Sequence, residues 1–249
     1  MRVRKQYRTP ALAAAAALMA VAGLSACGSE GNGLAEKSGK EVSEEAGKAL
    51  KDVTSFQMQM ESEQDGATFS IDLTMDRDGN CVGKIDQGEQ GTAEIVKQGD
   101  KVWMKPDQKF WETQGGANGV AAYELFKGKY IAGTTQDPML QGMAGSCDLK
   151  ALQQDINSDD DGTTWSDPKE GEVDGKNVVT IKGTSEEDEE ETTMHVAAEG
   201  TAYPVQIVSV EGGAETTLGF GKFDEGVPDD VPSEDESFDI SKLEQAAGS

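Results

Sequence analysis

The side chains that could perform acid–base or nucleophilic chemistry are few. His195 is the only histidine, and it lies in an alternating segment that predicts a strand, where it would point to solvent opposite Met194 and Val196. A Ser-x-x-Lys arrangement, which brings a serine nucleophile and a lysine base together on a helix, occurs at Ser166–Lys169, but its surroundings predict a strand. The sequence contains no G-x-S-x-G elbow. We therefore expect a protein that is not an enzyme.

One segment has the residue types of a calcium-binding loop. Asn157, Asp159 and Asp161 alternate with other residues and are followed by Gly162, as in the first half of an EF-hand loop. Pro168 stands where such a loop has its bidentate glutamate, and no second flanking helix is predicted. The segment is a candidate for weak binding of a divalent cation, and a solvated acidic loop is the alternative. No cofactor is predicted.

A cysteine near the N-terminus has the surroundings of a lipid-attachment site. Four basic residues within the first eight precede the uncharged segment 11–26, which is shorter than the ~20 residues of a membrane span and is typical of a secretory leader. The leader ends in Leu24-Ser25-Ala26-Cys27, which resembles a bacterial lipobox. The resemblance implies removal of a signal peptide over 1–26 and a diacylglyceryl group on Cys27. An ordinary signal peptide with a coincidental cysteine is the alternative.

Two acyl chains anchor a protein stably, whereas one gives marginal binding. A lipidated Cys27 therefore places the mature chain on the outer face of the cytoplasmic membrane. Two further cysteines remain, Cys81 and Cys147. An even number in an oxidising compartment favours a disulfide, so we predict a Cys81–Cys147 bond, with two free buried thiols as the alternative. A metal site at these cysteines is disfavoured because the sequence lacks a C-x-x-C spacing and contains only one histidine.

The charge of the chain rules out one class of partner and argues against another. Of 249 residues, 47 are acidic and 22 are basic, which gives a formal net charge of −25. Nucleic acid is therefore not expected as a partner, and neither is a polybasic attachment to anionic lipid. Leu, Ile, Val and Phe make up 18% of the chain, a fraction at which composition alone predicts disorder. The regular order of these residues predicts a folded domain instead.

Two periodicities divide the mature chain into elements. Residues 27–40 are rich in glycine, serine and charged residues and predict a flexible tether. Apolar residues with helical spacing run from Val42 to Val53. The period then becomes two, which predicts strands near 56–60, 67–76, 81–87, 92–98, 101–105, 109–113, 163–172, 176–184, 192–198, 203–211 and 215–223.

The middle of the chain interrupts this pattern. Residues 120–127 and a segment that Ser146 could cap predict short helices, and 133–145 predicts a loop. We expect one domain over 41–223. An acidic C-terminal tail over 224–249 should pack partly on that domain.

Several short segments carry a family resemblance. They are Gly99–Met104, Phe110-Trp111, Val173–Ile181, Ala202–Ile207, Val231-Pro232 and Asp239–Leu243. Together with the lipobox and the first helix, they resemble the actinobacterial lipoproteins of the LppX/LprG type and the wider LolA/LolB-like group. The order of the predicted elements already indicates an α+β fold dominated by an antiparallel sheet. The resemblance implies that this β-sheet is strongly curved into a half-open barrel and that helices cover its concave face. It also implies that lipids or acylated molecules bind in that concavity.

The apolar face of the predicted strands is where such a ligand would bind. We predict the ligand-binding residues to be Met58, Met60, Phe69, Ile71, Leu73, Met75, Trp103 and Phe110. The expected function is binding or carriage of a lipid or other long apolar ligand by a membrane-anchored monomer. The second hypothesis is a sensor or interaction module with a filled core, which meets an envelope protein through its acidic surface. A cavity lined by these residues favours the first hypothesis, and a filled core favours the second.

Overall fold

The described part of the chain is built around one large β-sheet. A computed structural model describes residues 31–64, 66–158, 163–185 and 190–241. Within them, 13 strands form a single sheet. The strands are β1 (Ser55–Gln64), β2 (Ala67–Asp76), β3 (Cys81–Asp86), β4 (Thr92–Gln98), β5 (Lys101–Pro106), β6 (Tyr130–Thr134), β7 (Thr164–Trp165), β8 (Lys169–Val173), β9 (Lys176–Thr184), β10 (Glu191–Ala197), β11 (Pro204–Glu211), β12 (Ala214–Gly221) and β13 (Ser237–Asp239).

Neighbouring strands follow a simple order. It is β13-β6-β5-β4-β3-β2-β1-β12-β11-β10-β9, and both β7 and β8 pair with β9. The pairs are antiparallel except for β13, which runs parallel to β6. The sheet predicted to be antiparallel is therefore mixed at this edge. Among the described residues the two edges of the sheet do not pair with each other, so the sheet stays open, as predicted.

Alternation explains which way the first strands face. Met60 on β1 and Ile71 on β2 are cross-strand partners on one face. Gln59 and Asp72 are partners on the other face, where the Gln59 amide donates to the Asp72 carboxylate at 3.0 Å. One face is apolar and has to be covered, while the other is compatible with water.

Helix α1 (Gly39–Asp52) covers part of the apolar face. A capping box begins it: the Glu41 N–H donates to Ser38 Oγ at 3.3 Å, and the Ser38 N–H donates to the Glu41 carboxylate at 2.9 Å. The predicted apolar residues Val42, Ala46, Ala49, Leu50 and Val53 are all buried. At the other end, the buried Gln153 amide donates to the carbonyls of Leu50 and Val53 at 2.7 and 3.2 Å. These bonds satisfy carbonyls that the helix end leaves without an intrahelical partner.

The segment between β5 and β7 is more helical than predicted. It contains α2 (Gln108–Gln114), α3 (Gly119–Phe126), α4 (Pro138–Gly145) and α5 (Leu149–Ser158). Helices α3 and α5 were predicted, but the strand predicted at 109–113 is α2, and the loop predicted at 133–145 contains α4. Asp107 explains the first difference, because its carboxylate accepts from the Phe110 N–H at 2.7 Å and caps a helix directly after β5. Pro138 explains the second, because proline is well tolerated in the first turn of a helix.

None of the helices in the described residues has the length and hydropathy needed to cross a membrane.

Both ends of the described chain are tied to the domain. Leu34 is buried, and the Asn32 N–H donates to the Ala198 carbonyl at 2.9 Å. The tether predicted over 27–40 therefore extends too far along the chain. The prediction failed because the small and charged residues around Leu34 have the composition of a linker. At the other end, β13 pairs with β6, and Ile240 is buried in one cluster with Ile131. The predicted tail contributes a strand as well as packing.

A disulfide joins the sheet to the helices. Cys81 begins β3, and Cys147 lies in the turn between α4 and α5. The two are bonded, as predicted, with Cα atoms 5.6 Å apart and a sequence separation of 66. Both residues are fully buried. The bond therefore fixes the helical segment to the sheet.

Removal of this bond should destabilise the fold. In a Cys81→Ser/Cys147→Ser variant the unfolded chain regains the freedom of a loop of 66 residues, which the chain-entropy relation puts at about 4 kcal/mol. Chemical denaturation of both proteins measures the difference. A reductant serves as the control, since it should lower the stability of the wild type alone. Equal stability of the two oxidised proteins would contradict the prediction.

Candidate ligand-binding groove

One row of apolar side chains crosses seven neighbouring strands, from β3 to β9. Its members are cross-strand partners in register: Ile85, Ile71, Met60, Leu218, Ile207, Met194 and Ile181. Because neighbouring strands lie about 4.8 Å apart, the six spacings give a continuous apolar band of about 29 Å. We call these seven residues the apolar row.

The ends of the apolar row are covered, and its middle is covered only in part. Ile85 and Ile181 are 3% and 0% exposed. The five residues between them, Ile71, Met60, Leu218, Ile207 and Met194, are only half-buried. Water therefore reaches five consecutive members of the row. A ligand that displaced this water would gain hydrophobic free energy.

A pocket of about 580 Å³ opens beside this stretch. Its lining consists of Met60, Ser62, Ala67, Thr68, Phe69, Gln87, Gln90 and Thr216. Met60 and Phe69 supply the large apolar surfaces. None of these lining side chains is titratable, so they offer a ligand apolar contact and neutral hydrogen bonds.

A row of hydroxyl groups runs beside the apolar row. On each strand the hydroxyl residue lies two positions from the member of the apolar row, so both rows are on the same face of the sheet. The hydroxyl residues are cross-strand partners in register: Ser62, Thr216, Ser209 and Thr192. The Thr216 hydroxyl donates to Ser62 Oγ at 3.1 Å, and the hydroxyls of Thr192 and Ser209 lie 3.4 Å apart. The five half-buried members of the apolar row, these four hydroxyl residues and Phe69 form what we call the groove. It is apolar along one side and neutral but polar along the other.

Six of the predicted ligand-binding residues share this face of the sheet, and the structure divides them into two groups. Met60, Phe69 and Ile71 lie in the groove. The other three, Met58, Leu73 and Met75, are buried beneath the helices in one cluster with Leu50, Leu140 and Leu149, among others, which we call the main core cluster. Only the half of the face toward the end of β1 is open.

Trp103 does not lie in the groove, contrary to the prediction. Its neighbours on β5, Val102 and Met104, belong to the main core cluster, so Trp103 points to the opposite face beside its partner Val96. There it lines a separate pocket of about 840 Å³, which residues 231–234 also line. The prediction took the aromatic side chain to mark the ligand face, but the register of β5 assigns that face to its neighbours.

The remaining predicted site residues lie elsewhere. Phe110 is on α2 and packs, half-buried, against the main core cluster, so it is not a strand residue of the groove. Cys27, Asp159 and Asp161 lie outside the described residues. The backbone of Asn157 belongs to α5, but its side chain is also outside the description. In the ranges that the structure describes, no group of three or more side chains could hold a metal ion.

Sequence reasoning missed seven of the ten groove residues, among them three of the apolar row. Leu218, Ile207 and Met194 continue the apolar row onto β12, β11 and β10. The signal that could have found Met194 and Leu218 is the same alternation of period two, since each lies between two polar or small residues in a predicted strand. Ile207 is harder to assign because Val208 follows it, so the pattern does not choose between the two faces. What the sequence did not contain was the pairing of β1 with β12, which joins the two halves of the chain.

His195 lies outside the groove. Met194 belongs to the apolar row, so His195 points to the opposite face, as predicted, but it is half-buried there. Its Nδ1 lies 2.8 Å from Thr180 Oγ1. Burial, and then the positive charge of Lys182, hold the pKa of His195 below its ordinary value. The neutral imidazole is therefore the form that suits the fold.

Comparison with solved structures identifies the fold. LprF from Mycobacterium bovis matches with a TM-score of 0.54 and 13% identity, over 78% of this chain and 97% of that chain. The Mycobacterium tuberculosis lipoprotein LppX matches with a TM-score of 0.47 and 16% identity, over 76% of this chain and 97% of that chain. No protein-family model matches the sequence, and no curated protein does. The chain has a LolA-like fold, as the resemblance implied, and its structural neighbours include LprF and LppX, which are of the LppX/LprG type.

Acidification should destabilise the fold through His195. Because the pKa of His195 is lower in the folded than in the unfolded state, its contribution is complete above the unfolded value of about 6.5 and is lost as pH falls toward the folded value. Denaturation midpoints measured across this range should fall for the wild type. A His195→Asn variant should lack this part of the pH dependence. Parallel curves for the two proteins would contradict the prediction.

Proposed function

We propose that this protein is a lipid-anchored, non-enzymatic binding protein of the bacterial cell envelope. In this proposal a diacylglyceryl group on Cys27 holds it on the outer face of the cytoplasmic membrane, and its groove binds a lipid or another long apolar ligand. The half-buried middle of the apolar row is the observation that carries the proposal. The likeness of its fold to LprF agrees with it.

The surroundings of Cys27 support the anchor. A basic start, an uncharged segment and a four-residue box occur in the order that a lipoprotein leader requires. The mature chain would begin five residues before Asn32, which is already hydrogen-bonded to the domain. The anchor would therefore hold the domain close to the bilayer.

The dimensions of the groove support an extended apolar ligand. Its exposed apolar stretch crosses five strands, and four spacings amount to about 19 Å. Each methylene removed from water contributes about 0.8 kcal/mol. About ten methylenes would then supply ~8 kcal/mol, the scale of micromolar binding, before the costs of association are subtracted. The neutral lining predicts little dependence on salt.

A second function is favoured by the packing of the core. Met58, Leu73 and Met75 are buried, so the space between the helices and this half of the sheet is filled. An interaction module that meets an envelope protein through its acidic surface would have such a core. In that case the groove would receive apolar side chains of the partner instead of a lipid.

A pair of polar substitutions in the groove tests lipid binding. A Met60→Gln/Leu218→Gln variant places two amides against the ligand, and each amide that loses its water without gaining a partner costs about 1–3 kcal/mol. We expect the affinity for a fluorescent fatty acid to fall at least tenfold. The matched control is Met139→Gln/Leu125→Gln, which changes the same residue types where they are 45% and 69% exposed. Circular dichroism checks that both variants fold.

The outcomes separate the two functions. Loss of uptake in the groove variant alone supports a lipid ligand. Equal losses in both variants would contradict the groove as the site. If the wild type takes up no fatty acid and native mass spectrometry finds no co-purifying lipid, the interaction module is favoured.

A substitution at Cys27 tests the anchor. A Cys27→Ala chain has no thiol to receive the lipid, so we expect it to leave the membrane fraction after an alkaline wash that retains the wild type. Mass measurement of the wild-type N-terminal peptide should show the added diacylglyceryl group. A variant that stays in the washed membranes as before would contradict the proposal.

A further inference from the structure

Three basic side chains line one pocket of this strongly acidic chain. The pocket has a volume of about 420 Å³ and is lined by Arg77, Lys97 and Lys150, from the turn after β2, from β4 and from α5. Two carboxylates, Asp78 and Asp148, also line it. Its charged lining is therefore net positive, in a chain whose net charge is −25. Such a pocket favours an anion at that point.

Two of the three cations are held by backbone carbonyls. The Arg77 guanidinium donates to the carbonyl of Lys51, and the Lys97 ammonium donates to that of Gly79. A guanidinium has five N–H donors and an ammonium has three, so each keeps donors after these bonds. Positioned cations with donors to spare suit a phosphate group, which accepts several charge-assisted hydrogen bonds.

The pocket lies at the rim of the sheet to which the N-terminal segment is attached. Ser55 pairs with Asp76, so β1 begins and β2 ends at this rim. Antiparallel pairing through β12 and β11 brings the end of β10 to the same rim. There the Asn32 side-chain amide donates to the carbonyl of Ala197 at 2.9 Å. We call this edge the anchor rim.

A lipid on Cys27 would hold the anchor rim near the bilayer. Five residues separate Cys27 from Asn32, and an extended chain spans at most about 3.6 Å per residue, which gives a reach of about 18 Å. The acidic body is repelled by anionic lipid. A net positive pocket on the rim that must approach the headgroups is therefore the place where contact with a lipid phosphate is favourable.

We propose that the pocket of Arg77, Lys97 and Lys150 binds the phosphate of an anionic phospholipid and so docks the anchor rim on the membrane. This inference rests on the proposed attachment through Cys27. The open end of the groove lies toward the opposite rim of the sheet. Ser62 on β1 and Thr216 on β12 mark this end, since they lie two residues farther from the anchor rim than Met60 and Leu218.

Lysine acetylation of the full lipidated chain tests the docking. The chain is labelled on phosphatidylcholine vesicles with and without phosphatidylglycerol, and each site is quantified by peptide mass spectrometry. We expect the reactivity of Lys51 and Lys150 to fall several-fold when phosphatidylglycerol is present, while Lys109 and Lys182, away from this rim, keep theirs. High salt should remove the protection, because the screening length falls to about 3 Å at molar concentration.

Variants assign the protection to the pocket. In Arg77→Gln/Lys97→Gln/Lys150→Gln, the protection of Lys51 by phosphatidylglycerol should be lost. The control Lys84→Gln/Lys109→Gln/Lys182→Gln makes the same change of charge elsewhere and should keep it. Lys150→Gln alone removes one exposed cation and leaves in place the hydrogen bonds from Arg77 and Lys97 to backbone carbonyls. It should weaken the protection of Lys51 in part, which keeps the test valid if the triple variant folds poorly.

The outcomes distinguish this inference from the anchor itself. A chain whose mass shows the lipid, but whose Lys51 and Lys150 react equally on both vesicles, overturns the docking alone. A chain without lipid on Cys27 overturns both proposals. If inorganic phosphate protects the chain on phosphatidylcholine as well as phosphatidylglycerol does, the pocket takes free anions and the membrane assignment is wrong.

Discussion

A sheet with one apolar face has to keep that face from water, and this requirement organises the rest of the molecule. The apolar row shows it most directly, because it runs unbroken from Ile85 to Ile181 across seven strands. Helix α1 covers the far end, where Val42 and Ala46 pack in one cluster with Ile181. The middle of the row has less cover than its ends. A fold that leaves five apolar residues half-exposed in a row is suited to a partner that completes the cover, whether a lipid or a protein.

The helical cover is fastened to the sheet on one side. The Cys81–Cys147 bond joins the cover to β3, and the Gln153 amide joins α5 to the end of α1; both lie near the anchor rim. The first contact is covalent. The second is a buried polar contact that would be costly to break. Met58 and Met75 are packed beneath this fastened part, while Met60, further along the same strand as Met58, is half-exposed. The filled core and the open groove are therefore two halves of one apolar face, and the groove begins where the fastening ends.

Local pattern predicted much of this fold, because alternation and capping act between near neighbours. The bounds of most strands and the buried face of α1 followed from spacing alone. The errors arose where a single residue starts a helix that the local pattern does not indicate. Asp107 caps α2 where a strand was predicted, and Pro138 lies in the first turn of α4 where a loop was predicted. Trp103 was placed on the wrong face because residue type was given more weight than register. The parallel pairing of β13 and the joining of β1 to β12 depend on contacts between distant parts of the chain, which no local pattern contains.

The two ends of the sheet have different surroundings, and this difference bears on how a ligand would be exchanged. If Cys27 carries the lipid, the five residues to Asn32 reach about 18 Å, whereas a ten-residue strand such as β1 is about 33 Å long. If the anchor rim also docks on the membrane as proposed, the open end of the groove would stand beyond the reach of the tether, away from the headgroups. In that orientation a lipid would have no continuous apolar path from the bilayer into the groove. It would have to cross water or be handed over by another protein. Because transfer of a long apolar chain through water is costly, this geometry favours exchange with a partner located outward from the membrane over direct extraction from the bilayer beneath.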